Sequence, residues 1–477
     1  MPEVVVLGAG PTGLMAALEA ARRGHSCTVV EAAPQVGGMA GSFELAGQRV
    51  DYGSHRLHPA TSPHHLELIE ELLGPDLQLR ARSGRIHLGG RWVGFPLRAT
   101  NLIRSLPLSM TAHLVNDSLH GLMGGFIAGL IGGVTGGLAG GPVSKPDPSF
   151  RDEVIQRFGV TVADEFYGPF ATKLYGARPE HLSGELAHRR ISASSPTDIA
   201  RRLVRATRPA GRTFYYPKKG YGQIAERLAD AAVDAGATIE LGTPVTGVAV
   251  DSDRVSVSTG TRSHDSDVTL STIPVQALAR MTSPSPPAAV TDALAKLRTR
   301  AMILVYLVLD RPQYTAFDAH YIPGLDTTVA RLSEPKNYRD GDDPAGTTVL
   351  CAEIACWTTD EIWSFPDSRL ADLVSEDLEL VGLPPTKYVA CETRRLRSVY
   401  PVFDIDTTNA RETVQEWTGS NDRLLTLGRQ GLRAIDNLHH VMAMGQGAVE
   451  AISSHGTIDP DRWEAKLQDF ARHTVED

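Results

Sequence analysis

Three glycines and one acid are the residues of this chain whose spacing speaks first of chemistry. Gly8, Gly10 and Gly13 stand in a G-x-G-x-x-G pattern, with Pro11 and Thr12 inside it, directly after the apolar run Val4 to Leu7. Gly8 permits a tight strand-to-helix turn, Gly10 lets the backbone approach a pyrophosphate, and Gly13 allows close helix–strand packing. The helix that opens there carries partial positive charge at its start, which suits two phosphates. Glu31 then ends a second apolar run, Cys27 to Val30. An acid at that point suits a ribose diol and repels a 2′-phosphate, and Ala32, Ala33 and Pro34 bring no arginine to accept one. Strand, glycines, helix, second strand and acid in one unit predict dinucleotide binding.

A second glycine turn follows where a simple nicotinamide dehydrogenase would continue into a third strand. It reads Gly37-Gly38-Met39-Ala40-Gly41, and after it comes Asp51-Tyr-Gly53-Ser54-His55-Arg-Leu-His58. These segments resemble the superfamily of FAD-dependent amine oxidases, protoporphyrinogen oxidases and UDP-galactopyranose mutases. Further along, Tyr167-Gly-Pro-Phe-Ala-Thr-Lys173-Leu-Tyr175, Tyr216-Pro217-Lys-Lys-Gly220-Tyr-Gly222, Arg331-Leu-Ser-Glu-Pro-Lys336 and Tyr400-Pro-Val-Phe-Asp404 are similar to the mutase-like branch. So is Gly428-Arg429-Gln-Gly431 with Asp436-Asn437-Leu438-His439-His440.

The resemblance implies noncovalent FAD. Gly37, Gly38, Met39 and Ala40 are then expected beside the ribityl diphosphate, Gly53, Ser54 and His55 near the isoalloxazine, and the backbone of Val245 against the adenine. Gly428, Arg429, Asn437 and Leu438 complete the site from the carboxyl-terminal side, where a helix start can face the negatively polarised N1–C2=O edge of the flavin. In such enzymes the ring system carries the reaction and the protein supplies orientation and electrostatics.

Two chemistries stay open on this reading. In the first, an FAD-dependent oxidoreductase moves a hydride from a small-molecule metabolite to the flavin, and His55 positions substrate or transfers a proton, unless it is a structural imidazole. In the second, a redox-neutral pyranose/furanose mutase uses reduced FAD on a nucleotide sugar. Tyr400, Arg331, Arg397 and Arg429 offer hydroxyl and bidentate guanidinium contacts to its diphosphate, or else form ion pairs with acids such as Glu334, Asp404 or Asp436. The wording Gly431-Leu-Arg-Ala-Ile435 departs from the galactopyranose mutases, whose tyrosines are not apparent there.

To position these residues the chain needs an α/β fold: a Rossmann-type FAD-binding domain interrupted by a helix-rich substrate domain and a mixed antiparallel sheet. The expected division is 1–89 for the first part of the FAD domain, 90–212 for the helix-rich substrate domain, and 213–280 for the second FAD part. Residues 281–419 form the substrate-side sheet, with strands at Met302 to Leu309 and Thr347 to Ile354 and a helix at Asp367 to Val381. Residues 420–477 are the carboxyl-terminal FAD part. His64 and His65 open a helix and are read as surface residues.

With 477 residues, 42% hydrophobic and 22% charged, the chain can bury substantial cores, and its net charge of −9 argues against nucleic acid as a partner. Arg201, Arg202, Arg205, Arg208 and Arg212 form a cationic run, read either as a solvated helix face or as a contact for an anionic substrate. Cys27, Cys351, Cys356 and Cys391 show no C-x-x-C, and no histidine spacing predicts a metal site. The start at Met1-Pro-Glu3 leads to the expectation of a cytoplasmic protein, with a peripheral membrane location as the alternative. That alternative comes from residues 119–143, where glycine recurs every fourth position at Gly121, Gly125, Gly129, Gly133, Gly137 and Gly141. A glycine-packed helix within the protein or a homo-oligomer is favoured, over a membrane- or lipid-facing element and a mobile flap, and the segment would shape access for an apolar metabolite.

Overall fold

The computed structural model describes residues 1–95, 147–191, 213–260 and 262–475. The glycine-rich segment 119–143 and the arginine run 201–212 lie outside the described residues, as do the expectations attached to them. Among the described residues no helix is long and apolar enough to cross a membrane.

The strands and helices around the candidate site are numbered here in chain order. The first unit is β1 (Glu3–Leu7), α1 (Pro11–Arg22) and β2 (Ser26–Val30). Helix α2 (Gly184–Arg190) follows after a long excursion, then α3 (Gln223–Asp234), β3 (Thr238–Glu240) and β4 (Val268–Ser271). Strands β5 (Thr299–Leu309), β6 (Arg331–Ser333), β7 (Thr348–Cys356) and β8 (Tyr388–Pro401) come next. The chain closes with β9 (Leu424–Thr426), α4 (Leu438–Glu450) and α5 (Pro460–Phe470).

Five strands form one sheet in the order β9-β4-β1-β2-β3, and every neighbouring pair in it is parallel. A central parallel strand is covered on both faces, which is why Val4 to Leu7 is an unbroken apolar run. Val4 and Val6 point into a core with α1, α3 and α4. Val5 and Leu7 point the other way, toward Val248, Val255 and Val257. Those valines belong to a four-stranded sheet of Val245–Val250, Val255–Thr259, Ser263–Ser266 and Thr282–Ser283. Helices α1 and α4 approach closely because Gly445 has no side chain: a Cβ there would lie 2.3 Å from the carbonyl oxygen of Thr12.

A seven-stranded mixed sheet has the order β8-β5-β7-β6, followed by Ala319–Tyr321, Gly84–Leu88 and Arg91–Phe95. Strand β5 alternates cleanly. Met302, Leu304 and Tyr306 face the cavity side, while Ile303, Val305 and Leu307 pack on the helix Asp367–Leu380. The expected boundary at residue 89 falls inside this sheet. Ile86, Leu88 and Val93 are buried, and Gly84–Leu88 pairs in parallel with Ala319–Tyr321, so the far edge of the substrate-side sheet is built from the amino-terminal segment. His65, read as a surface residue, is buried instead; its Nε2 meets Oε1 of Gln446 on α4 at 3.0 Å.

Candidate active site

Between the parallel sheet and the mixed sheet lies a cavity of about 390 Å³. Its floor is the β1–α1 turn. Gly8 takes a φ of +102°, open to glycine, and Gly13 brings α1 so close that a Cβ would sit 2.0 Å from the Gly8 carbonyl oxygen. A Cβ on Gly10 would meet no heavy atom within 4 Å, because that position faces the cavity together with Pro11 and Thr12. Glu31 also lines it. One carboxylate oxygen accepts from the Ala9 amide at 2.7 Å and the other from the Ala33 amide at 2.8 Å, which fixes the acid at the end of β2.

The second glycine turn closes onto the first. Gly37 donates its amide to the Ala9 carbonyl at 2.8 Å, and a Cβ on Gly38 would come within 3.4 Å of the Gly10 Cα. Gly38, Met39 and Ala40 line the cavity, whereas Gly37 packs against Gly41 behind it. Gly428 and Gly13 are likewise supports rather than lining: a Cβ on Gly428 would lie 2.7 Å from Oγ1 of Thr12.

The turn Gly53-Ser54-His55 enters the cavity through a buried scaffold. The carboxylate of Asp51 accepts from Ser42 Oγ at 2.6 Å, Tyr216 OH at 2.5 Å and the Tyr221 amide at 2.9 Å. The Ser54 amide donates to Glu353 Oε1 at 2.8 Å, and the His55 ring stacks on Tyr221 with centroids 5.1 Å apart. Burial, reinforced by the charges of Arg331 and Arg429, pushes the His55 imidazole down to about 3. At pH 7 the ring is neutral, so it acts as a stacking and hydrogen-bonding surface and is a poor proton acceptor.

The remaining wall is cationic. Arg331 on β6 holds Glu353 on β7 through two bonds of 2.8 and 2.7 Å, a bidentate pair set by their opposed positions in the antiparallel ladder. The guanidiniums of Arg190, at the end of α2, and Arg429 lie 5.3 and 5.4 Å from the ring centre of Tyr400 on β8. Arg190 donates to Tyr175 OH at 2.8 Å. Arg429 donates to the carbonyls of Val399 (3.2 Å) and Asp436 (3.5 Å), and burial lowers its pKa. Asn437 caps α4, and both it and Leu438 line the cavity.

The structure therefore brings together Gly8, Gly10, Pro11, Thr12, Glu31, Gly38, Met39, Ala40, Gly53, Ser54, His55, Arg331, Tyr400, Arg429, Asn437 and Leu438 on one cavity. Two candidates stand elsewhere. Arg397 is exposed, its guanidinium 5.7 Å from the Trp363 ring centre. It lies on β8 within the stretch between Leu396 and Tyr400 where the pairing with β5 is irregular, and its side chain is turned to Trp363. Val245 is half-buried and off the cavity, although the Thr243 amide just before it donates to the Glu31 carbonyl at 2.8 Å.

Other lining residues are not among the sequence candidates: Arg56, Arg190, Tyr221, Glu353 and Gln430, while Asp436, expected only as an ion-pair partner, also lines the cavity. Glu353 had a readable signal, a lone acid inside the apolar run of β7. Arg190 had none, since only the fold carries the end of α2 to Tyr400. The ion-pair alternative holds for Arg331, but with Glu353; Asp404 pairs with Arg298 and Glu334 caps the amides of Tyr314 and Thr315.

The fit to a flavin dinucleotide rests on the open face of Gly10, the two abutting glycine turns, and two helix starts, α1 and α4, that share one cavity. Comparisons agree with this architecture. The family model for flavin containing amine oxidoreductase matches residues 11–401. Among solved structures, a reduced UDP-galactopyranose mutase superposes with a TM-score of 0.76 at 20% identity over 100% of both chains. A putative protoporphyrinogen oxidase from Exiguobacterium sp. 255-15 gives 0.71 at 19% identity, covering 94% of this chain and 98% of its own. Wild-type putrescine oxidase bound to putrescine gives 0.63 at 16% over the same shares. At these identities the likeness is one of fold. No curated protein sequence matches.

Proposed function

Because this chain belongs to the flavin containing amine oxidoreductase family, we propose that it holds noncovalent FAD and works as an oxidoreductase on a small anionic metabolite. When bound, the flavin supplies the redox chemistry, as hydride acceptor when oxidised or as a nucleophilic nitrogen when reduced. Gly8, Gly10 and the start of α1 would hold the diphosphate, Glu31 the ribose, and Asn437 and Leu438 at the start of α4 the polar edge of the ring.

The single observation behind the substrate class is the guanidinium group of Arg190, Arg331 and Arg429 around Tyr400. A cationic amine would be repelled there. An anionic oxygen would be met by oriented donors in a site partly withdrawn from water, where charge–charge attraction is stronger. His55, neutral and stacked on Tyr221, orients the substrate and does not ionise it.

A second reading, a redox-neutral nucleotide-sugar mutase, is favoured by the same three arginines, which suit a diphosphate, and by the full-length likeness to a galactopyranose mutase. The two are separated by one set of measurements. Acid-denatured protein should release FAD into the supernatant; flavin left on the precipitated chain would refute noncovalent attachment. Bleaching of the oxidised protein by an anionic metabolite, with recovery in air, supports the oxidoreductase. Turnover of nucleotide sugars only after dithionite reduction, without net oxidant use, supports the mutase. Faster bleaching by aliphatic diamines than by any anion would overturn the charge argument.

A further inference from the structure

Asp436, His440 and His473 do not share a sequence motif, yet they meet beside the start of α4. Asp436 lies two residues before that helix, His440 is in its first turn, and His473 arrives from the segment after α5. The Asp436 side chain is fully buried, and neither carboxylate oxygen accepts a hydrogen bond among the described residues. Its Oδ1 stands 3.5 Å from Nδ1 of His440 and 3.5 Å from Nδ1 of His473.

These distances are too long for good N–H···O bonds. His440 Nδ1 moreover accepts the backbone amide of Asn437, at 3.3 Å, so it carries no proton to offer the carboxylate, and an ion bound there takes the place of that long bond. His473 Nδ1 is buried without a hydrogen-bond partner. Electron-rich atoms thus face one another in a dry place, a costly arrangement unless positive charge lies between them.

The spacing suits a metal ion. Around a tetrahedral centre with bonds of about 2.0–2.1 Å, neighbouring ligand atoms stand about 3.4 Å apart. The two aspartate-to-histidine distances are 3.5 Å, and all three donor atoms lie within 4.8 Å of one another. The imidazoles of His440 and His473 are stacked, with centroids 4.1 Å apart and planes 13° from parallel, so binding one ion through both requires at least one ring to turn out of the stack.

We propose that Asp436, His440 and His473 form a site for a divalent first-row transition ion of the zinc type, with a remaining coordination position open to water. Imidazole and carboxylate donors in this number suit such ions. Of the three, only Asp436 lines the flavin-shaped cavity, so the ion sits in the wall and not in the reaction space. Its consequence is mechanical. It ties the carboxyl-terminal segment, whose Val475 lines the cavity and donates its amide to the Arg189 carbonyl at 2.8 Å, to the helix start that faces the cofactor.

The test uses tag-free, flavin-loaded protein, stripped with chelator and titrated calorimetrically with Zn²⁺, with Co²⁺ as a spectroscopic probe of ligand geometry. One ion per chain is expected. His473→Ala should weaken binding by at least about 100-fold, the upper end of what outer-shell changes alone produce. His473→Gln, closer in size, should do the same with flavin content and melting temperature retained. His455→Ala, at an exposed histidine, should leave binding unchanged. No stoichiometric binding, as a plain histidine–aspartate ion pair would give, overturns the proposal, and so does one-site binding that survives both His473 substitutions. None of these readouts depends on the substrate.

Discussion

Replacing Gly10 by alanine should separate cofactor binding from folding, while the same change at Gly13 should damage both. Gly10 has φ −76° and ψ 173°, an extended conformation open to any residue, and its Cβ would touch nothing within 4 Å. The apoprotein therefore has no reason to lose stability; by restricting the unfolded chain the alanine contributes about 0.4–1 kcal/mol. The new methyl projects into the cavity at the start of α1, where the diphosphate is expected. Losing one amide bond to a charged oxygen is worth about 1.5–3 kcal/mol, or about 10- to 150-fold in Kd.

Gly13 differs because its Cβ would lie 2.0 Å from the Gly8 carbonyl oxygen and 3.1 Å from Val6 Cγ1. Helix α1 must then move off β1, an overpacking cost of about 1–3 kcal/mol or more, set against about 1 kcal/mol of helix propensity. Urea denaturation of flavin-stripped protein and fluorescence titration with FAD measure the two quantities independently. Wild-type FAD affinity in Gly10→Ala, with unchanged apoprotein stability, would refute the placement of a diphosphate at this turn.

Glu353→Gln should lower stability by about 3 kcal/mol, because it leaves the Arg331 guanidinium without its charge partner; a urea midpoint within error of wild type would contradict the pair's role. It also removes the charged acceptor of the Ser54 amide, so flavin spectra should broaden as the His55 turn loosens. Arg429→Met should raise KM for an anionic substrate by about 10-fold or more with a smaller effect on an uncharged analogue, the mark of a lost ground-state charge contact. Equal effects on both would instead point to a packing role. His320 is buried, and burial together with Arg85 pushes its imidazole down to about 3, below the unfolded value of 6.5. The unfolded chain therefore binds the extra proton between those values, and stability is present above pH 6.5 and lost as pH falls through that window. The loss is at most about 1.4 kcal/mol per pH unit. His320→Gln should show a shallower decline between pH 6.5 and 4.5 than wild type; parallel curves would exclude His320 as the source.

The cradle was legible because its logic is local. A strand, three glycines, a helix and an acid lie within one β–α–β unit, and their roles follow from backbone clearances that neighbouring residues impose. The unbroken apolar run Met302 to Leu309 likewise reads as a strand, since a short hydrophobic run is a property of the chain itself, whereas which of its residues face the cavity side is set by the fold. The sheet membership of Gly84–Leu88 is not legible for the opposite reason: the segment reads as a strand anywhere, and only pairing with Ala319–Tyr321 assigns it to the mixed sheet.

Charge placement was the least legible part. Arg397 and Arg331 look alike in sequence, but an irregular stretch of β8 carries one out to Trp363 and cross-strand pairing locks the other to Glu353. Arg190 reaches Tyr400 across 210 positions of chain, counted from their numbers. Asp436, His440 and His473 obey no ligand spacing, and become neighbours because the segment after α5 folds back on the start of α4. Local sequence thus determined the abutting glycine turns that floor the cavity, through steric rules acting over a few residues. Which charges surround the rest of that cavity was decided by tertiary structure, because electrostatic interaction depends on distance through space and sequence separation does not set it.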